Sequence, residues 1–189
     1  MPRLFFALDV PAPVKKRLLK VSAPVAGAKW QNANQLHLTL LFLGQVDSEL
    51  LPEIRAALRE LPLARFNLEV RDVGCFGQPD TPRNLWAGVS PEAPVSALHD
   101  LLKQRLGHLG FRFESRPFRP HITLARFRKQ RGSVAGLLAE HRDAFFGNVE
   151  VDAFVLLESN QGGAGSVYTV VERFELANSL DETADPHQR

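Results

Sequence analysis

Histidine followed two residues later by threonine occurs twice in this chain, as His37-Leu38-Thr39-Leu40 and as His121-Ile122-Thr123-Leu124. With 6 His and 5 Thr among 189 residues, chance placement gives roughly 0.16 such triplets, so two in matching apolar contexts form a specific signal. Side chains two apart on a strand share a face, and each copy would present one imidazole beside one hydroxyl. Two imidazoles facing one another can act as the acid and the base that splitting a phosphodiester needs. Histidine titrates near neutrality, so one ring can be charged while its partner is not. The base activates water, the acid protonates the leaving oxygen, and threonine hydroxyls can donate to the non-bridging oxygens.

His37 and His121 are therefore the candidate catalytic pair, and Thr39 and Thr123 the candidate phosphate ligands. Arg126 offers a permanently charged fork for phosphate. It stands an odd number of residues after His121, so a regular strand would aim it away, and a bulge or a curl at the strand end must re-aim it. Zinc fits poorly, because two histidines without a thiol or carboxylate at ligand spacing are too few. No metal or other cofactor is expected. His99, His108, His141 and His187 read as surface residues.

The net charge of +2 does not by itself point to nucleic acid. Its distribution does more: residues 112–131 hold seven basic side chains and one acid, Glu114. That run brackets the second His-x-Thr and suits a phosphate-bearing ligand through local field focusing. Trp30 and Phe42 are candidate platforms for stacking a nucleobase. Core packing is the preferred reading for Phe42, which shares the apolar face of its strand, and the two readings stay balanced for Trp30.

These side chains need strands to carry them. Residues 3–10 read as a buried strand closed by Pro11, and 13–25 as an amphipathic helix with Val14, Leu18, Val21 and Val25 as its stripe. Residues 30–35 look like a connection. From Leu36 to Leu43 apolar residues alternate, with Leu36, Leu38, Leu40 and Phe42 on one face and His37 and Thr39 opening the other. A helix is expected over 48–61, strands over 66–76 and 85–89 around a turn at 77–82, and a helix over 94–109 ended by Gly110. A strand over 121–127, a short helix over 133–141 and a closing hairpin of 148–157 with 167–176 complete the pattern. The two histidine strands lie 84 residues apart, so each half contributes one strand to a shared groove. Cys75 is the single cysteine and excludes an intramolecular disulfide. With no leader-like start and no run long enough to span a membrane, a cytoplasmic protein is expected. One domain over 1–177 with a polar tail over 178–189 follows from length and composition.

At these residues the chain resembles the 2H phosphoesterases, which carry two His-x-Thr-x motifs. It is most similar to the bacterial RNA 2′,3′-cyclic phosphodiesterases, also called 2′-5′ RNA ligases. Arg3-Leu-Phe-Phe-Ala-Leu-Asp-Val-Pro11, Leu36-His-Leu-Thr-Leu-Leu-Phe-Leu-Gly44 and Arg116-Pro-Phe-Arg-Pro-His-Ile-Thr-Leu124 match in order, and Glu158-Ser159 with Tyr168 fit a final strand pair. The resemblance implies an α+β, bilobed fold, with two pseudo-symmetric lobes of antiparallel sheet flanking a central cleft and helices outside. It implies metal-independent hydrolysis of an RNA-terminal 2′,3′-cyclic phosphate to a 2′-phosphomonoester. His37 would protonate the leaving 3′ oxygen and His121 would activate water, with Thr39, Thr123 and Arg126 on the phosphate. RNA or nucleotide ends bearing cyclic phosphate are the expected partners of a monomer. Reversible 2′-5′ ligation, cleavage of small cyclic phosphates or 2′-5′ oligonucleotides at the same site, and non-catalytic RNA binding are the alternatives.

Overall fold

The computed structural model describes residues 1–163 and 165–179. Strands are β1 (Arg3–Asp9), β2 (Ala28–Trp30), β3 (His37–Gln45), β4 (Phe66–Gln78), β5 (Thr81–Ser90), β6 (Ile122–Phe127), β7 (Phe145–Val151), β8 (Ala153–Gly162) and β9 (Gly165–Glu175). Helices are α1 (Ala12–Leu19), α2 (Leu51–Ala57), α3 (Ala93–Gly107) and α4 (Ala135–Glu140). The strands form one curled antiparallel sheet in the order β7-β4-β5-β6-β3-β1-β8-β9, with β2 beside β6. The two lobes are therefore the two halves of one sheet, four strands on each side of the β6–β3 junction. The histidine strands are its centre.

β1 shows why an unbroken apolar run was needed. Its Leu4, Phe6 and Leu8 enter the main core, while Phe5 and Ala7 join Val155, Leu157 and the edge of Tyr168 in a second cluster on the opposite face. A strand buried on both faces reads as continuous rather than alternating. The helices cross between halves. α1 follows β1 yet packs on β7, and α3 follows β5 yet packs on β3.

Several boundaries differ from expectation for local reasons. α1 ends at Leu19, because Pro24 and the turns before it cannot continue a helix. Ser48–Leu50 is a 3-10 turn leading into α2, which stops at Ala57 before Glu60 takes a left-handed φ of 49°. Part of the expected connection at 30–35 is strand: Trp30 closes β2 and pairs with Ala125. The expected strand over 148–157 is two. β7 pairs with β4 in one half and β8 with β1 in the other, so the chain changes lobe at Asp152. The polar tail expected from 178 lies, from 180 onward, outside the described residues.

Candidate active site

β3 and β6 meet at one register pair, Leu38 with Ile122, and both of those side chains are buried. In an antiparallel ladder, one step either way sets His37 beside Thr123 and Thr39 beside His121. All four therefore share the concave face opposite the buried pair. The two histidines are diagonal neighbours across the junction, a relation that in antiparallel pairs corresponds to a backbone separation of about 7–8 Å.

Each motif is followed by the same irregularity. On β3, Phe6 pairs with Leu41 and Ala7 with Thr39, so Leu40 is an extra residue. On β6, Leu85 pairs with Ala125 and Trp86 with Thr123, so Leu124 is extra. A bulge of this kind restarts the alternation. Leu40 and Leu41 are both buried, as are Leu124 and Ala125, and the next residue of each strand turns to the concave face. That residue is Phe42 on one side and Arg126 on the other. The bulge that Arg126 requires is thus present. Phe42 departs from the core packing expected of it: it is 64 % exposed, resting on Phe5 at 5.5 Å between ring centres. Trp30 resolves the other way, its ring against the core and its indole N–H donating to the Ala23 carbonyl at 3.0 Å.

The histidines differ in their anchoring. His121 Nδ1 lies 2.6 Å from the Arg119 carbonyl. The carbonyl only accepts, so Nδ1 carries the hydrogen and Nε2 keeps its lone pair. Burial, above all, holds the His121 imidazole below its ordinary pKa; the Arg119 carbonyl opposes this, and the Arg126 and Arg119 guanidiniums reinforce it. His37 is pushed down from 6.5 to about 4, first by burial, then by Lys15 and Arg126, with the Gln35 backbone carbonyl opposing. Among the described residues, His37 Nδ1 is buried with no partner at full hydrogen-bond geometry. Arg126 thus acts on both rings.

Aromatic walls hold each imidazole. His37 lies 5.1 Å from Phe5 and 5.0 Å edge-on from Tyr168. His121 lies 5.0 Å edge-on from Phe76, with Trp86 at 6.4 Å. The Arg119 guanidinium lies over the Phe76 ring, 5.5 Å from its centre. The segment entering β3 is clamped to β9: Asn34 Nδ2 donates to the Tyr168 carbonyl at 3.0 Å and Tyr168 N–H to Asn34 Oδ1 at 2.9 Å. Gln35 Nε2 donates to the Ser166 carbonyl at 2.9 Å.

Sequence reasoning overlooked Lys15, which sits on a helix packed against the far lobe, and the walls Phe5 and Phe76. It also misplaced His99, which is 9 % exposed rather than on the surface. The spacing 95, 98, 99, 102, 106 along α3 carried that signal. Two cavities, of about 430 Å³ beside Asp72 and α4 and about 570 Å³ beside Met1 and Gln161, lie elsewhere. Among the described residues, no three or more His, Cys, Asp or Glu side chains gather as a metal cluster. Among the described residues, no helix is long and apolar enough to cross a membrane.

One curled antiparallel sheet, with a His-x-Thr on each of its two central strands, defines a two-histidine phosphoesterase of the 2H class. Within that class the chain belongs to the 2′-5′ RNA ligase superfamily, whose family model matches residues 11–163. It is 34% identical over 176 residues to the RNA 2′,3′-cyclic phosphodiesterase of Archaeoglobus fulgidus, covering 92% of this chain and 99% of that one. The protein of the same name from Thermus thermophilus is 35% identical over 185 residues, 92% of this chain and 90% of that one. Among solved structures, TT0787 of Thermus thermophilus superposes with a TM-score of 0.76 at 33% identity, over 92% of this chain and 97% of that one. E. coli LigT complexed with 3′-AMP gives a TM-score of 0.74 at 28% identity, over 93% and 98%.

Proposed function

We propose that this protein hydrolyses RNA-terminal 2′,3′-cyclic phosphate to a 2′-phosphomonoester by two-histidine acid–base catalysis without a metal. The observation that carries the reading is the Leu38–Ile122 pairing, which sets each imidazole beside the other motif's threonine. Relatives across most of the chain's length bear the name RNA 2′,3′-cyclic phosphodiesterase, which supports the substrate class.

The anchored His121, with Nε2 unprotonated, suits the base. It takes a proton from water as the water oxygen attacks phosphorus. The P–O3′ bond breaks, and protonated His37 gives its proton to O3′, leaving a 2′-phosphate and a free 3′ hydroxyl. Thr39, Thr123 and Arg126 hold the non-bridging oxygens as charge builds on them. Before substrate arrives His37 is neutral at pH 7, because burial first and then the cations Lys15 and Arg126 oppose its charge. A phosphodiester anion offsets Lys15 and Arg126, so substrate itself raises the His37 pKa and arms the acid. Phe42, exposed on the same face, would stack the base next to the phosphate. The cytoplasm and a monomeric state belong to the same reading.

Turnover of 2′,3′-cyclic AMP in excess EDTA is the first test. His37→Ala and His121→Ala should each lower kcat about 10²–10⁴-fold with little change in melting temperature. Turnover restored only by added metal, or a fully active single variant, would sink the proposal. A panel adding 2′-5′ oligonucleotides and 2′-phosphate/5′-hydroxyl RNA ends separates hydrolysis from the ligation reaction.

A further inference from the structure

His99 takes no part in the chemistry above, yet it occupies the buried stripe of α3 with Val95, Leu98, Leu102 and Leu106. Its Nδ1 lies 2.7 Å from the Leu40 carbonyl, which only accepts, so Nδ1 carries the hydrogen. Leu40 is the extra residue of the β3 bulge and has no register partner on β1. The matching residue on β6, Leu124, has its carbonyl satisfied by the Gln31 backbone N–H at 2.9 Å, from the chain just past β2. Among the described residues, no strand runs beside β3 in the way that β2 runs beside β6. A side-chain donor from α3 takes that place.

The same ring has a second contact. It stacks on Phe118 with centroids 4.1 Å apart and planes within 5°. Phe118 lies in the irregular segment between α3 and β6, next to Arg119, whose carbonyl receives the His121 Nδ1–H. Among the described residues that segment has no strand partners to place it, so its position depends on side-chain contacts such as this stack.

We propose that His99 is a positioning residue that holds the two His-x-Thr motifs in their mutual arrangement, through the Leu40 carbonyl on one side and the Phe118 ring on the other. The inference rests on the two-histidine reading of the site. An unpaired buried carbonyl is costly, and β3 can escape that cost by losing its bulge. Such a slip would reverse every side chain beyond it and withdraw Phe42 from the cleft. Loss of the stack would instead release the Arg119 carbonyl and let the His121 ring turn.

The test separates the two contacts. His99→Asn keeps a donor near the place of Nδ1 but loses the ring; His99→Phe keeps the stack but loses the donor; His99→Leu loses both. For each, NMR reports the ring tautomer and titration of His37 and His121, and kcat and KM are measured on 2′,3′-cyclic AMP below the melting temperature. His99→Leu should shift both histidines' signals, lower kcat roughly 10- to 100-fold and, by withdrawing Phe42, raise KM several-fold. His99→Phe should preserve the His121 signals and His99→Asn those of His37. Wild-type signals and kcat in folded His99→Leu would overturn the proposal, as would Asn and Phe variants altered only in melting temperature. If His99→Leu does not fold, the contrast between Asn and Phe decides. If the parent protein does not cleave the cyclic phosphate, the functional reading fails, and the ring signals alone judge His99.

Discussion

His37 and His121 are one residue type in two electrical settings, and that difference has consequences for stability as well as catalysis. The folded His37 pKa of about 4 lies below its ordinary 6.5, so between those values the unfolded chain binds more protons than the folded one. Stability is therefore full above about pH 6.5 and is lost as pH falls toward 4, with His121, also lowered, acting in the same direction. At about 1.4 kcal/mol per pH unit, His37 should cost the fold about 2 kcal/mol between pH 7 and pH 5. Urea titrations at the two pH values should show this loss in the parent protein and much less of it in His37→Gln; equal slopes would contradict the shifted pKa. Saturating 2′-AMP should oppose the acid loss, since bound phosphate offsets Lys15 and Arg126. Phe42 supplies a second test. Loss of a base-stacking ring is worth about 1–3 kcal/mol, so Phe42→Ala should raise KM for a cyclic-phosphate oligonucleotide several-fold or more. It should leave kcat near the parent value, because Phe42 sits beyond Phe5 rather than on the reacting atoms.

Elements explain both what the chain's pattern disclosed and what it hid. The His-x-Thr repeat and the alternation at the start of β3 were legible because each follows the strand period of two, and the apolar run of β1 because burial on both faces removes that alternation. The bulges at Leu40 and Leu124 were not, since inserting one residue changes no composition, only the parity of all that follows. Phe42 was misread for that reason, whereas Arg126 already demanded a bulge. The lobe change at Asp152 was invisible because β7 and β8 are both apolar, with one residue between them. Gly74 is a further device of this kind. A Cβ there would overlap the Trp86 indole across the β4–β5 ladder, and Trp86 stands behind His121. Gly74→Ala should therefore cost about 1–3 kcal/mol as overpacking and lower kcat by pressing Trp86 toward that ring. Adding Trp86→Leu should recover most of the stability; a double variant no more stable than Gly74→Ala would show that the glycine serves something else.

At the scale of the molecule, one pseudo-twofold scaffold presents two unlike arms. Equivalent positions after the bulges carry an aromatic ring on one half and a guanidinium on the other, so a symmetric frame can read a substrate with a base at one end and a phosphate at the other. Charge follows the same division. Lys29 pairs with Arg126 across β2 and β6 and shares its face, Lys15 and Arg119 act on the histidines, and exposed Arg128, Lys129 and Arg131 continue from β6. Glu114, the lone acid of the basic run, is already engaged by Arg116. An RNA strand leaving the site along this side would displace condensed counterions, with a salt slope of about 0.7 per phosphate neutralised. KM for a cyclic-phosphate oligonucleotide should then rise with salt at a log–log slope of roughly 1.5–3, while 2′,3′-cyclic AMP, with one phosphate, should show a slope below about 1. Charge reversal at both Arg128 and Lys129 should flatten the oligonucleotide's dependence without changing that of the mononucleotide. Equal slopes for the two substrates would mean that the strand beyond the terminal phosphate leaves by another route, and that the basic run is a solvated surface.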